Sequence, residues 1–203
     1  MRFFLVRHGQ SEDNLNKVIA GHRQTPLTTF GREQAKSLGI KLAKEGQTFD
    51  AVYSSDLKRA SETATLICNE LGIENIIFDK RLREGDAGDF TGRLSAELTA
   101  EERKYLDSLL INIKEKIVGG KESNFDMTLR VQDAFQEIVD KQSENSTILL
   151  VGHGGTLYHI LVRTLNLLPG KLDEWFGSCM INLLERKDEL SPWKLTMFNN
   201  KIR

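Results

Sequence analysis

Phe3-Phe4-Leu5-Val6-Arg7-His8-Gly9 and Ile148-Leu149-Leu150-Val151-Gly152-His153-Gly154-Gly155 share one form: an apolar run of four residues that gives way at once to charge, imidazole and glycine. Runs this short, apolar on both faces, read as strands buried inside a parallel sheet. Ala51-Val52-Tyr53 and Ile76-Ile77-Phe78 are weaker runs of the same kind, and Met180 to Leu184 with Leu195 to Phe198 suggest a closing pair. That makes about six strands. Between them apolar residues recur at helical spacing: Ala35, Leu38, Leu42; Leu57, Ala60, Ala64, Ile67, Cys68, Leu71; Val131, Ala134, Phe135, Ile138, Val139; and Leu157, Ile160, Leu161, Leu165, Leu168. Each set marks one buried helix face. Strands alternating with helices predict an α/β three-layer sandwich, a mostly parallel sheet with helices on both faces.

Two segments stand apart from that alternation. Residues 93–121 carry six basic and five acidic side chains among scattered Leu and Ile and close on Gly119-Gly120-Lys121, which suggests a small helical lid inserted over the sheet. Ser123, followed three residues later by Asp126, resembles a capping box and is expected to start the next helix. With 203 residues and no repeat or Pro-rich linker, the whole span 1–203 reads as one domain. A chain of this length can remove about 70% of its extended surface from water, so its core needs no disulfide or structural zinc.

Composition narrows the function classes. The 28 Lys and Arg against 29 Asp and Glu leave a net charge of −1, without the basic excess that binding a phosphate backbone requires, so no nucleic-acid partner is expected. The first apolar run is too short for a signal peptide core, and nothing later approaches a membrane span, so no membrane partner is expected either. Cys68 and Cys179 are too few for a disulfide framework and read as reduced thiols, which fits a cytoplasmic protein.

In open α/β sheets ligands bind outside the carboxyl ends of the strands. Past the first strand come Arg7-His8-Gly9, with Ser11 and Asn14 in the following loop; past Tyr53 come Ser54-Ser55-Asp56-Leu57-Lys58-Arg59, opening a helix. Past Phe78 come Arg81-Leu82-Arg83-Glu84-Gly85, and past Val151 comes Gly152-His153-Gly154-Gly155. If these strands are neighbours, two histidines, several arginines and a glutamate converge, a set suited to a phosphate dianion. Arginine presents a planar fork matched to phosphate oxygens, and a helix N-terminus adds unpaired N–H groups. A neutral imidazole can serve as nucleophile while another donates to phosphoryl oxygens, and a glutamate can protonate a leaving alcohol. Taken singly, Arg-His-Gly is a turn, the glycine-rich stretch around His153 a strand-to-helix turn, and Arg59 a surface charge; the argument rests on their combination. His22, in a loop before Pro26 though near enough to the site to touch substrate, and His159, inside a helical pattern, read as structural. His153 and His159 are six apart rather than the four of a helical zinc pair, so no metal and no cofactor are expected.

The ordered set Leu5-Val6-Arg7-His8-Gly9-Gln10-Ser11 with Asn14, Gly21 to Gly31 with Thr25-Pro26-Leu27-Thr28, and Ser54-Ser55-Asp56-Leu57-Lys58-Arg59-Ala60 resembles the histidine phosphatase superfamily, also called phosphoglycerate mutase-like. Leu82-Arg83-Glu84 with Gly88 and Gly92, Gly119-Gly120-Lys121-Glu122-Ser123 and Val151-Gly152-His153-Gly154-Gly155 continue the resemblance over nearly the whole chain. The resemblance implies phosphorylation of His8, a phosphate pocket of Arg7, Arg59, His153 and Asn14 with Gly21 and Gly154 at the substrate, and Glu84 as proton donor, with Asp86 the nearest alternative acid. The chain departs from the family where it reads Phe90-Thr91-Gly92 and where Lys121 interrupts Gly-Gly-Glu-Ser, which touches substrate choice rather than phosphate chemistry. The short 93–121 segment resembles the small phosphatase branch. Hydrolysis of a small phosphorylated metabolite is therefore expected, with a cofactor-dependent phosphoglycerate mutase as alternative and a catalytically silent phosphometabolite-binding protein as the second.

Overall fold

The computed structural model describes residues 1–168 and 174–202. Its centre is one sheet in the order β3-β2-β4-β1-β5-β6-β7, with β1 at Arg2–Arg7, β2 at Ala51–Ser54, β3 at Ile77–Phe78, β4 at Thr147–Gly152, β5 at Ile181–Glu185, β6 at Lys194–Phe198 and β7 at Lys201–Ile202. β1 to β4 run parallel to one another, and β5 to β7 are antiparallel additions beside β1. The α/β sandwich expected from the sequence is present. The sheet itself is mixed, because the closing pair turns back along β1 and a short seventh strand extends its edge.

The helices that cover it are α2 (Thr29–Lys44) and α3 (Lys58–Leu71) on one face and α5 (Asn124–Lys141) and α6 (Gly154–Tyr158) on the other, with α6 continuing as a π-helical turn over His159–Thr164. The period-two alternation of the strands divides the core. Phe3, Leu5, Ile148 and Leu150 pack with Val131, Phe135, Ile138, Leu157 and Leu161, whereas Phe4, Val6, Leu149 and Val151 pack with Leu38, Leu42, Ala64 and Ile67. Full burial of one such side chain is worth roughly 1.5–3 kcal/mol, so the two clusters fix the faces of β1 and β4 and with them the direction of the strand ends. The capping box at the start of α5 is formed: Ser123 Oγ accepts from Asp126 N, and Asp126 accepts from Ser123 N.

β1 and β4 lie side by side at the centre, with Arg7 opposite Gly152. The chain leaves β1 for the parallel half of the sheet and leaves β4 for the antiparallel half, so a crevice opens at their carboxyl ends. One local feature differs from expectation. Ser11 and Asn14 belong to a short helix, α1 (Glu12–Leu15), closed by a capping box between their side chains and backbone, rather than to a loop. Residues 93–121 contain a 3₁₀ turn at Ser95–Glu97 and one helix of nearly three turns, α4 (Ala100–Leu109), with irregular chain around them.

Candidate active site

His8 follows β1 directly, and its ring is 2% exposed. Its Nδ1 lies 2.7 Å from Gly9 O; a carbonyl only accepts, so Nδ1 carries the proton and Nε2 presents its lone pair. Arg59 Nε donates to that Nε2 at 3.2 Å. Burial, then the positive charges of Arg59 and Arg7, hold the His8 pKa well below 6.5, so the imidazole is neutral at physiological pH.

Arg59 sits in the first turn of α3 and is 1% exposed, the largest fully buried side chain among the described residues. Its other donors reach Arg23 O at 3.1 Å and Gly21 O at 3.0 Å, which fixes the guanidinium in place. Gly21 makes that contact from a left-handed conformation, φ +45°, with Ala87 and Thr91 too close for a side chain. Arg7 donates to Phe176 O at 2.8 Å, while its Nε is buried without a partner. His153, fully buried at the end of β4, pairs Nε2 with Ser55 Oγ at 2.8 Å and leaves Nδ1 without a partner. Its ring centroid is 5.1 Å from that of His8, and burial with the Arg59 charge again depresses its pKa well below 6.5.

Glu84 reaches the same place from the segment after β3. Gly85 N donates to its Oε1 at 3.0 Å and Gly155 N to its Oε2 at 3.3 Å. A Cβ on Gly155 would stand 2.0 Å from that carboxylate, so only glycine at this position lets the first turn of α6 approach Glu84. Arg7, His8, Asn14, Gly21, Arg59 and Glu84 thus line one cleft of about 350 Å³. The His153 ring adjoins that of His8, and Gly154 lies in the first turn of α6 beside Trp175. Of residues 93–121 only Ile117 faces the cleft. No three His, Cys, Asp or Glu side chains among the described residues are grouped so that they could hold a metal ion.

Several residues of the site were not visible in the sequence. Arg130, on α5, donates Nη1 to Arg81 O and Arg83 O at 2.7 and 2.8 Å, Nη2 to Glu84 O at 2.9 Å, and Nε and Nη2 to Glu122 at 2.7 Å each. Thr156 Oγ1 donates to Leu82 O at 2.9 Å. Together they hold the Glu84 segment against the sheet. His22 also belongs here: its Nε2 donates to Glu84 O at 2.7 Å. His159 lies in the core, donating Nδ1–H to Thr128 Oγ1 at 2.9 Å, since the Thr128 hydroxyl proton is given to Asn124 O. The one sequence signal for Arg130 is a cation adjoining the buried face of an amphipathic helix, next to Val131.

The arrangement offers a neutral imidazole lone pair, two fixed guanidinium groups and a carboxylate within one cleft, which is what transfer of a phosphoryl group needs. Known proteins point the same way. The family profile described as histidine phosphatase superfamily, branch 1, matches residues 3–201. A 2,3-bisphosphoglycerate-dependent phosphoglycerate mutase of Azorhizobium caulinodans is 35% identical over 171 residues, 81% of this chain and 82% of the relative. The broad-specificity phosphatase YOR283W of Saccharomyces cerevisiae is 33% identical over 165 residues, 79% and 69% of the two chains. Among solved structures, a mycobacterial glucosyl-3-phosphoglycerate phosphatase in complex with VO3 superposes with a TM-score of 0.83 at 28% identity, covering 98% of each chain. The chain belongs to the histidine phosphatase superfamily, branch 1.

Proposed function

We propose that this protein is a phosphatase that hydrolyses a small phosphomonoester through a phosphohistidine at His8. The observation that carries the reading is the His8 ring: proton held on Nδ1 by Gly9 O, Nε2 lone pair turned to Arg59, pKa depressed by burial. In the first step Nε2 attacks phosphorus, the N–P bond forms as the ester P–O bond breaks, and Glu84 gives its proton to the departing alkoxide oxygen. In the second, water attacks phosphorus, Glu84 takes the water proton, and the N–P bond breaks to release phosphate and neutral imidazole. Arg7 and Arg59 hold the equatorial oxygens, with Asn14 at the mouth of the pocket. His153, whose buried Nδ1 has no protein partner, stabilises the same equatorial charge. Residues 93–121, with Ile117 on the cleft, act as the lid.

The mutase relative supports a second reading, in which the phosphoryl group returns from His8 to the substrate rather than to water. Incubation with 3-phosphoglycerate, with and without 2,3-bisphosphoglycerate, separates the two. Hydrolysis gives inorganic phosphate; mutase action gives 2-phosphoglycerate without phosphate release. The two guanidinium groups supply the positive charge, so phosphate release from a panel of phosphomonoesters is expected to persist in excess EDTA, and loss restored by added magnesium or zinc would contradict the mechanism. Two free buried thiols, Cys68 and Cys179, support a reducing, cytoplasmic setting. No helix among the described residues is long and apolar enough to cross a membrane.

A further inference from the structure

We propose that the substrate is a monophosphate whose alcohol part is neutral and largely apolar, with no second phosphate and no carboxylate. The inference rests on the phosphatase reading above and concerns the half of the cleft that faces away from His8. Once the phosphate end is set aside, the lining consists of Val18, Ile19, Ala20, Ala87 and Ile117, with one charged side chain, Asp86. None of these carries a positive charge.

Asp86 makes the wall unfavourable for a second anion. Its two oxygens accept from Gly88 N at 3.0 Å and Lys121 N at 2.7 Å. Although burial pushes its pKa upward, those N–H donors hold it below the usual carboxylate value, so the group stays ionised. Arg23 is held by Asp13 at 3.1 Å in the adjoining hollow and offers its backbone carbonyl, not its charge, to Arg59. Lys121 and His22, whose charges also favour the ionised Asp86, do not line the cleft, so a carboxylate or phosphate on the alcohol part would lose water beside Asp86 without a cation in the wall to receive it. An alkyl or other neutral group would instead cover five half-buried apolar side chains.

Size follows from the same wall. About 350 Å³ lies at the low end of the roughly 300–1,000 Å³ typical of small-molecule sites. Behind the wall is a second cavity of about 180 Å³, lined by Leu106, Leu109 and Met127 together with Glu115, Glu122, Ser123 and Asn124, and sharing Gly85, Asp86 and Ile117 with the cleft. Ile117 is the apolar side chain that separates the two spaces. Its truncation therefore lengthens the cleft.

The test compares esters of primary alcohols with similar leaving-group chemistry: n-hexyl phosphate, glycerol 3-phosphate and 3-phosphoglycerate. Phosphate release should fall in that order, with kcat/KM for hexyl phosphate at least about tenfold above that for 3-phosphoglycerate. Ile117→Lys should narrow or reverse the gap by giving the wall a cation, and Ile117→Ala should raise n-octyl relative to n-butyl phosphate. Hydrolysis of 3-phosphoglycerate as fast as the hexyl ester, or ratios unmoved in both variants, overturns the inference while leaving the phosphatase intact. Phosphate release from none of the esters overturns the phosphatase reading itself.

Discussion

The phosphate end of the cleft and the opposite wall are held by different means. His8, Arg59 and His153 are almost fully buried, each at the end of a central strand or in the first turn of a helix on it, and each is tied to a backbone carbonyl or a buried hydroxyl. Val18, Ile19, Ala20, Ala87 and Ile117 are half-buried on irregular chain, in segments tied by main-chain hydrogen bonds such as Ile19 N to Arg93 O and Asp89 N to Val118 O. Transition-state charge is stabilised by donors that need not reorganise, which favours the sheet; recognition of the alcohol tolerates replacement, which favours loops. Substitutions at the buried end should therefore lower turnover for every ester, and substitutions in the wall should redistribute it among esters.

The strongest challenge to that division is His8→Ala, expected to lower kcat by about 10⁴-fold or more on all substrates while the thermal midpoint moves little. A variant that keeps near-wild-type turnover on any ester would remove His8 from the chemistry. Next is Glu84→Gln, which keeps the size of the side chain and one oxygen to accept from Gly85 N or Gly155 N but cannot deliver a proton. Its single-turnover rate of His8 phosphorylation should drop about 10²- to 10⁴-fold on an alkyl ester and much less on p-nitrophenyl phosphate, whose leaving group barely needs protonation. Equal losses on the two would make Glu84 a positioning group and turn attention to Asp86.

Arg130 tests whether buried support counts as much as the residues that touch substrate. Arg130→Ala strips donors from three main-chain carbonyls of the Glu84 segment and takes from Glu122 its guanidinium partner, leaving it Asp86 N and the more distant His22, which should cost about 3 kcal/mol of stability. If Arg130 positions Glu84, the loss of kcat should be about tenfold and should again be larger for the alkyl ester than for p-nitrophenyl phosphate. A stability loss without that difference would make its role structural.

The smallest effect is in the core. Burial, then Arg130 and Arg163, lower the His159 pKa to about 4 from 6.5. The unfolded chain then takes up a proton at a pH where the folded one does not. The contribution to stability is unchanged above about pH 6.5 and is lost progressively as pH falls from there toward 4, up to about 3 kcal/mol. His8 and His153 act with the same sign. Thermal midpoints measured over that interval should fall for the wild type and fall less for His159→Gln, and parallel curves would remove His159 from the acid sensitivity.

What could be read in the chain follows the same local-versus-distant division. The strand ends at His8 and His153, the apolar helix faces and the Ser123 cap are set by residues within a few positions of one another, and each is found where it was expected. The turn of β5 back along β1 depends on register between residues about 180 apart, and no local pattern encodes it. Arg130 escaped notice for a related reason: its partners at 81, 83 and 84 are main-chain carbonyls, which leave no complementary side chain in the sequence. The π-helical turn at His159–Thr164 keeps the apolar spacing of an ordinary helix and so looked like one.

The central claim is that phosphate passes through His8. Rapid acid-free quenching of Glu84→Gln with p-nitrophenyl phosphate, followed by peptide mass spectrometry, tests it directly, because the variant should form the phosphoenzyme readily and discharge it slowly. The account predicts a single acid-labile, base-stable phosphate on the peptide containing His8, chased away by longer incubation in water. A stable phosphate on another residue, or turnover with no phosphorylated peptide at any time point, would contradict it.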